Sequence, residues 1–279
     1  MELPRFESEF EDSVLPKFEG APATHAEVRV GADAETPWTQ MSVLLGTTVI
    51  QAVQSFYLAK RSMHYFSDLL EADDRVGMAI GNINKRLLRL AVLDIAGLND
   101  GGLATKDPGD SRTASLPAVH RRMMGRLTDA KASAAEVASL LALQADINPG
   151  RHAPLLYVRH LRNKWAGHPS LDRRFDAWAS ADKELSLAAV EAALARLVNN
   201  THDTAEFASS VPALQDFLQP RAVPNSDGSI PMDFDLSSVI LLAGLMRDSA
   251  GYEARALRAQ ITGASRFERS AHTEAYAPE

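Results

Sequence analysis

The chain has 279 residues, 46% of them hydrophobic and 23% charged, with a formal net charge of −7 and no cysteine. That size holds one substantial core with extensions, and the missing thiols exclude disulfides, thiolate metal sites and a cysteine nucleophile. The acidity excludes a surface coated all round in phosphate contacts, so any nucleic-acid site must be a local patch.

The N-terminus, MELPRFESEFEDSV, is acidic and broken by Pro4, without the basic start and apolar stretch of a secretory signal. Residues 1–41, with Pro4, Pro16, Pro22 and Pro37, read as an irregular arm. From Ser42 the apolar positions Val43, Leu44, Thr47, Ile50, Val53, Phe56, Tyr57 and Leu58 recur at helical spacing, which predicts a long amphipathic helix to Leu70. A second helix is predicted from an N-cap at Asp73 to Leu98, ended by the loop NDGGLATKDPGD at 99–110. Further helices are expected at about 115–127, 132–146, 154–166 and 186–207, with a capping box at Ser133 and Glu136. VRV at 28–30 is the one strand signal, too short to build a sheet alone. The fold class is therefore all-α, with the bundle over 42–208.

Residues 209–279 read as a connector carrying Pro212, Pro220, Pro224 and Pro231, then one more helix over about 235–261. The helix is apolar in its first half, so it must pack on the bundle or on another chain, and a dimer contact is one expectation for it. Its apolar run, VILLAGLM at 239–246, falls well short of the roughly 20 residues a membrane span needs. A soluble, cytoplasmic protein without membrane contact is expected.

Most chemical motifs fail on their context. The glycine-rich loop at 99–110 follows a helix and lacks the Gly-Lys-Ser/Thr ending of a phosphate cradle. Asp73, Asp74, Asp94, Asp100, Asp107 and Asp110 fall mostly at caps and in loops, where aspartate is expected without a metal. Thr201-His202-Asp203 has no serine nucleophile to serve and reads as a solvated helix face. Lys85, Arg86, Arg89, Arg121 and Arg122 read as surface charge, part of which can extend a binding patch.

VRHLRNKWAGHPSLDRR, residues 158–174, is different: it gathers Arg159, Arg162, Lys164, Arg173 and Arg174 beside His160 and His168. Leu155, Val158, Leu161 and Trp165 form one apolar face, so Arg162 and Asn163 project beside it, at the rim of a packed surface. On an unbroken helix Arg162 and His168 stand about 240° apart and about 9 Å along the axis. Gly167 and Pro169 stop the helix near Ala166 and free His168 to fold back. On spacing alone the same bases serve equally well as a C-terminal cap facing the negative end of the helix.

The run Arg162-Asn163-Lys164-Trp165-Ala166-Gly167-His168 resembles the signature of the HEPN superfamily (higher eukaryotes and prokaryotes nucleotide-binding): an arginine followed by a polar residue, then a histidine with four to six residues between it and the arginine. Together with NKRLLRLAVLDIAGLND and SLPAVHRRM, residues 42–205 resemble its AbiU-like abortive-infection branch. The resemblance implies an antiparallel helical bundle and a metal-independent ribonuclease that needs no cofactor. It is usually a homodimer with facing arginine–histidine pairs, acting on RNA in a defence or toxin system with an antitoxin or other neutralising protein. Arg162 would hold the scissile phosphate, His168 would transfer protons, and Asn163 would help position the histidine or the RNA. Arg159, Lys164, Arg173 and Arg174 would add phosphate contacts. Ser170 stands where members paired with a nucleotidyltransferase antitoxin carry a modified tyrosine, a departure that speaks against that style of control. Other members of the superfamily only bind RNA or nucleotide or act as scaffolds.

Overall fold

The computed structural model describes residues 5–7, 38–71, 75–101, 115–167, 185–215, 217–218 and 236–274. VRV at 28–30, Asp73, residues 102–110 of the glycine-rich loop, His168, Arg173, Arg174 and most of the proline-rich connector lie outside them. All described secondary structure is helical, and the fold is all-α. The helices are α1 (Trp38–Tyr65), α2 (Ser67–Glu71), α3 (Arg75–Leu98), α4 (Leu116–Asp129), α5 (Ala134–Asp146), α6 (Ala153–Leu161), α7 (Leu187–Ser210) and α8 (Val239–Glu274). A π-helical turn, Arg162–Ala166, follows α6, and short 3-10 turns occupy Pro212–Leu214 and Leu236–Ser238.

α1 lies between α3 and α8. Val49, Ala52, Val53, Phe56 and Tyr57 are all buried, at three- and four-residue steps that set one apolar side of α1 into the core. α7 is buried on more than one side by α1, α5, α6 and α8, and small residues such as Ala189, Ala193 and Ala205 let those neighbours approach closely. It also carries a charge into the core. Glu191 is fully buried, and its carboxylate accepts from the Tyr57 hydroxyl at 2.6 Å and the Lys60 ammonium at 2.9 Å, both on α1.

Local chemistry explains several boundaries. At α5 the Ser133 hydroxyl accepts from the Glu136 amide while the Glu136 carboxylate accepts from the Ser133 amide, the reciprocal capping expected. The first long helix breaks at Phe66, a fully buried residue whose carbonyl accepts from the Leu69 and Leu70 amides of α2.

Other expectations are corrected. The final helix runs on to Glu274, and Val239, Ile240, Ala243, Ala250 and Ala254 are buried against the chain's own bundle, chiefly on α1. One side of its apolar half therefore packs within the chain, while Leu241 and Leu245 stay exposed. The connector is not wholly exposed, since Leu214, Phe217 and Leu218 are buried and Arg126 stacks over the Phe217 ring. In the N-terminal arm, Phe6 is buried edge-on against Tyr57, and the Asn199 side chain pairs with both the amide and the carbonyl of Phe6. Thr201-His202-Asp203 is structural: Thr201 is buried, His202 Nδ1 meets the Ser237 carbonyl at 2.8 Å, and Asp203 pairs with Arg5.

Candidate nucleic-acid interface

Leu155, Val158 and Leu161 set one side of α6 into the core, which leaves Arg159 and Arg162, one turn apart, on a half-exposed side. From Arg162 the helix widens into the π-turn, a form concentrated at functional sites. Its closing bond runs from the Gly167 amide to the Arg162 carbonyl at 2.7 Å. A β-carbon at position 167 would sit 2.8 Å from that carbonyl oxygen, so glycine is required here by close approach. Helical structure stops after Ala166, as the Gly167-His168-Pro169 run predicts.

A cleft of about 200 Å³ lies between this segment and the end of α3, lined among others by Ile95, Asn99, Asp100, Gly101, Arg159 and Arg162. Its far wall is held by the start of α4. The Ser115 hydroxyl donates to the Asp100 carbonyl at 2.7 Å and caps α4 through the Ala118 amide, while Arg121 donates to the Gly101 carbonyl. These bonds anchor the backbone beneath Asp100. The Asp100 carboxylate reaches Arg162 at 3.3 Å, with the Arg162 side chain 43% exposed. Asn99 contributes a buried side-chain oxygen that has no hydrogen-bond partner among the described residues.

Of the residues singled out in the sequence, Arg159 and Arg162 come together at the cleft. Asn163 and Lys164 are half-buried on the π-turn but do not line it, and Trp165 receives the Arg89 guanidinium over its ring at 5.4 Å. Arg121 does not line the cleft itself but donates to the carbonyl of Gly101, which does. The roles of Asn99 and Asp100 were missed. Both looked like the start of a loop, and the one signal, a polar NDGG run closing a buried helix, is shared by ordinary helix ends.

His120, fully buried on α4, meets Thr204 at 2.8 Å, and burial pushes it down to about 4. It is a neutral core histidine, set apart from the cleft's lining. Burial also raises Asp94, on α3, to about 6. Among the described residues no group of three or more His, Asp or Glu side chains could hold a metal ion, and no described helix is long and apolar enough to cross a membrane. No protein-family model, curated protein or solved structure matches the chain.

Proposed function

We propose that the chain is a metal-independent, HEPN-like endoribonuclease of a defence or toxin system, acting as a homodimer. One observation carries this reading: Arg159 and Arg162 line one cleft, with Arg121 bonded to the Gly101 carbonyl in its wall, in a protein of net charge −7. Arginine offers a permanent planar fork to phosphate oxygens. His168 follows the π-turn by two residues and supplies a group that gives and accepts protons at neutral pH.

In the proposed reaction Arg162 holds the scissile phosphate and His168 of one copy takes the proton of the ribose 2′-hydroxyl. The new 2′-oxygen–phosphorus bond forms as the 5′-oxygen–phosphorus bond breaks. The second copy's His168 protonates the departing 5′-oxygen. Asn163 steadies the histidine or the RNA, and Lys164, Arg173 and Arg174 add phosphate contacts. An antitoxin or other neutralising protein is the partner such a toxin requires.

The second reading, a non-catalytic HEPN-like RNA-binding, nucleotide-binding or scaffold protein, draws on the Asp100–Arg162 ion pair, which already occupies the arginine. Incubation of purified protein with unstructured RNA in EDTA separates the two. Cleavage that falls by about 10²–10⁴ in both Arg162→Ala and His168→Ala supports the enzyme; wild-type protein that cleaves none of a varied RNA set supports the scaffold. For about four phosphate contacts the slope of log affinity against log salt is roughly −3, and a much flatter dependence counts against RNA.

A further inference from the structure

The inward side of α3 is buried through Ile80, Leu88, Val92 and Ile95, yet its outward side is also apolar. Ile83 is 46%, Leu90 50% and Leu93 38% exposed. At about 100° per residue, Ile83, Arg86, Leu90, Leu93 and Gly97 fall within one stripe about 80° wide. Exposed apolar stripes of this kind mark contact surfaces, and two features of this one point to its occupant.

The first is charge. Arg86 and Asp94 stand four residues before and four after Leu90. Among the described residues neither has an ion-pair partner. The second is shape: Ile83 and Gly97 stand seven residues to either side of Leu90, and a β-carbon at Gly97 would meet no atom within 4 Å. We infer that the outward stripe of α3 binds the same stripe of a second copy of this chain, antiparallel, about a two-fold axis at Leu90.

In such an isologous contact a residue n places before the axis faces the one n places after it in the other copy. Leu90 then meets Leu90, Ile83 fills the notch at Gly97, and Arg86 faces Asp94, each pair occurring twice. Helix axes about 8–10 Å apart bring the arginine within reach of the carboxylate. The half-buried Asp94, raised by desolvation, gains a counter-charge. Gly167 lies beside Leu93, 4.0 Å from its Cδ2 for a β-carbon at that position, so both copies' π-turns come to one edge of the contact.

This inference rests on α3 alone and stands whether or not RNA is cleaved. Sedimentation equilibrium of the full chain tests it, with far-UV circular dichroism confirming that each variant is folded. The wild type is expected to dimerise, Arg86→Asp alone and Asp94→Arg alone to weaken the dimer at least about tenfold, and the two together to restore most of the affinity. A monomeric wild type overturns the proposal, as does a dimer indifferent to both single reversals, which would place the contact on another face.

Discussion

Lys60 offers the sharpest test of how the core is held. Replacing it with methionine keeps most of the aliphatic stem and removes the charge that faces Glu191 at 2.9 Å. The carboxylate is fully buried and the Lys60 side chain only 15% exposed, so water cannot readily take the ammonium's place. Removing one partner of a buried pair costs about 3–5 kcal/mol, because the other charge stays behind without compensation. The Tyr57 hydroxyl, 2.6 Å from the second carboxylate oxygen, survives the change and places the expected loss near the lower end, about 3 kcal/mol. At roughly 2–4 °C per kcal/mol this lowers Tm by roughly 6–12 °C. Urea unfolding followed by circular dichroism gives the free energy directly. Adding Glu191→Gln to Lys60→Met removes the stranded charge and should recover much of the loss. A Lys60→Met protein within about 1 kcal/mol of wild type, the value of an exposed pair, would refute the reasoning.

His120 predicts an acid limb in the stability profile. Its folded pKa, pushed down to about 4, lies below the ordinary 6.5, so the unfolded chain binds the proton first as pH falls. Its contribution is complete above 6.5 and declines from there toward 4, by roughly 3 kcal/mol in all; denaturant midpoints across that range check it, and a His120→Gln protein that keeps the full slope places the effect elsewhere. At Gly167 the perturbation is steric. Alanine there brings its β-carbon against the Arg162 carbonyl and strains the closing bond of the π-turn. The expected loss is about 1–2 kcal/mol of stability despite the better helix propensity of alanine, and a Tm equal to or above wild type by calorimetry would show that the turn has room.

Local chemistry was readable residue by residue. Ser133 and Glu136 announce a helix start because both partners of the cap lie within four residues. The stop at Ala166 was legible for the same reason, in Gly167 and the proline that follows. The widening of that last stretch into a π-turn was not, since it depends on how closely one amide approaches one carbonyl. Arg162 and Arg159 stood out by residue type and spacing, whereas Asp100 looked like any residue ending a helix.

Helical periodicity and capping therefore determined the all-α class and most helix boundaries, because those signals act over three or four residues. Tertiary structure decided what faces what: Arg162 meets Asp100 across 62 residues, and Tyr57 meets Glu191 across 134. It also turned the last helix onto α1 and tied Arg5 and Phe6 to α7. Such contacts form only when helices distant along the chain bury their apolar faces together, so no local pattern carries them.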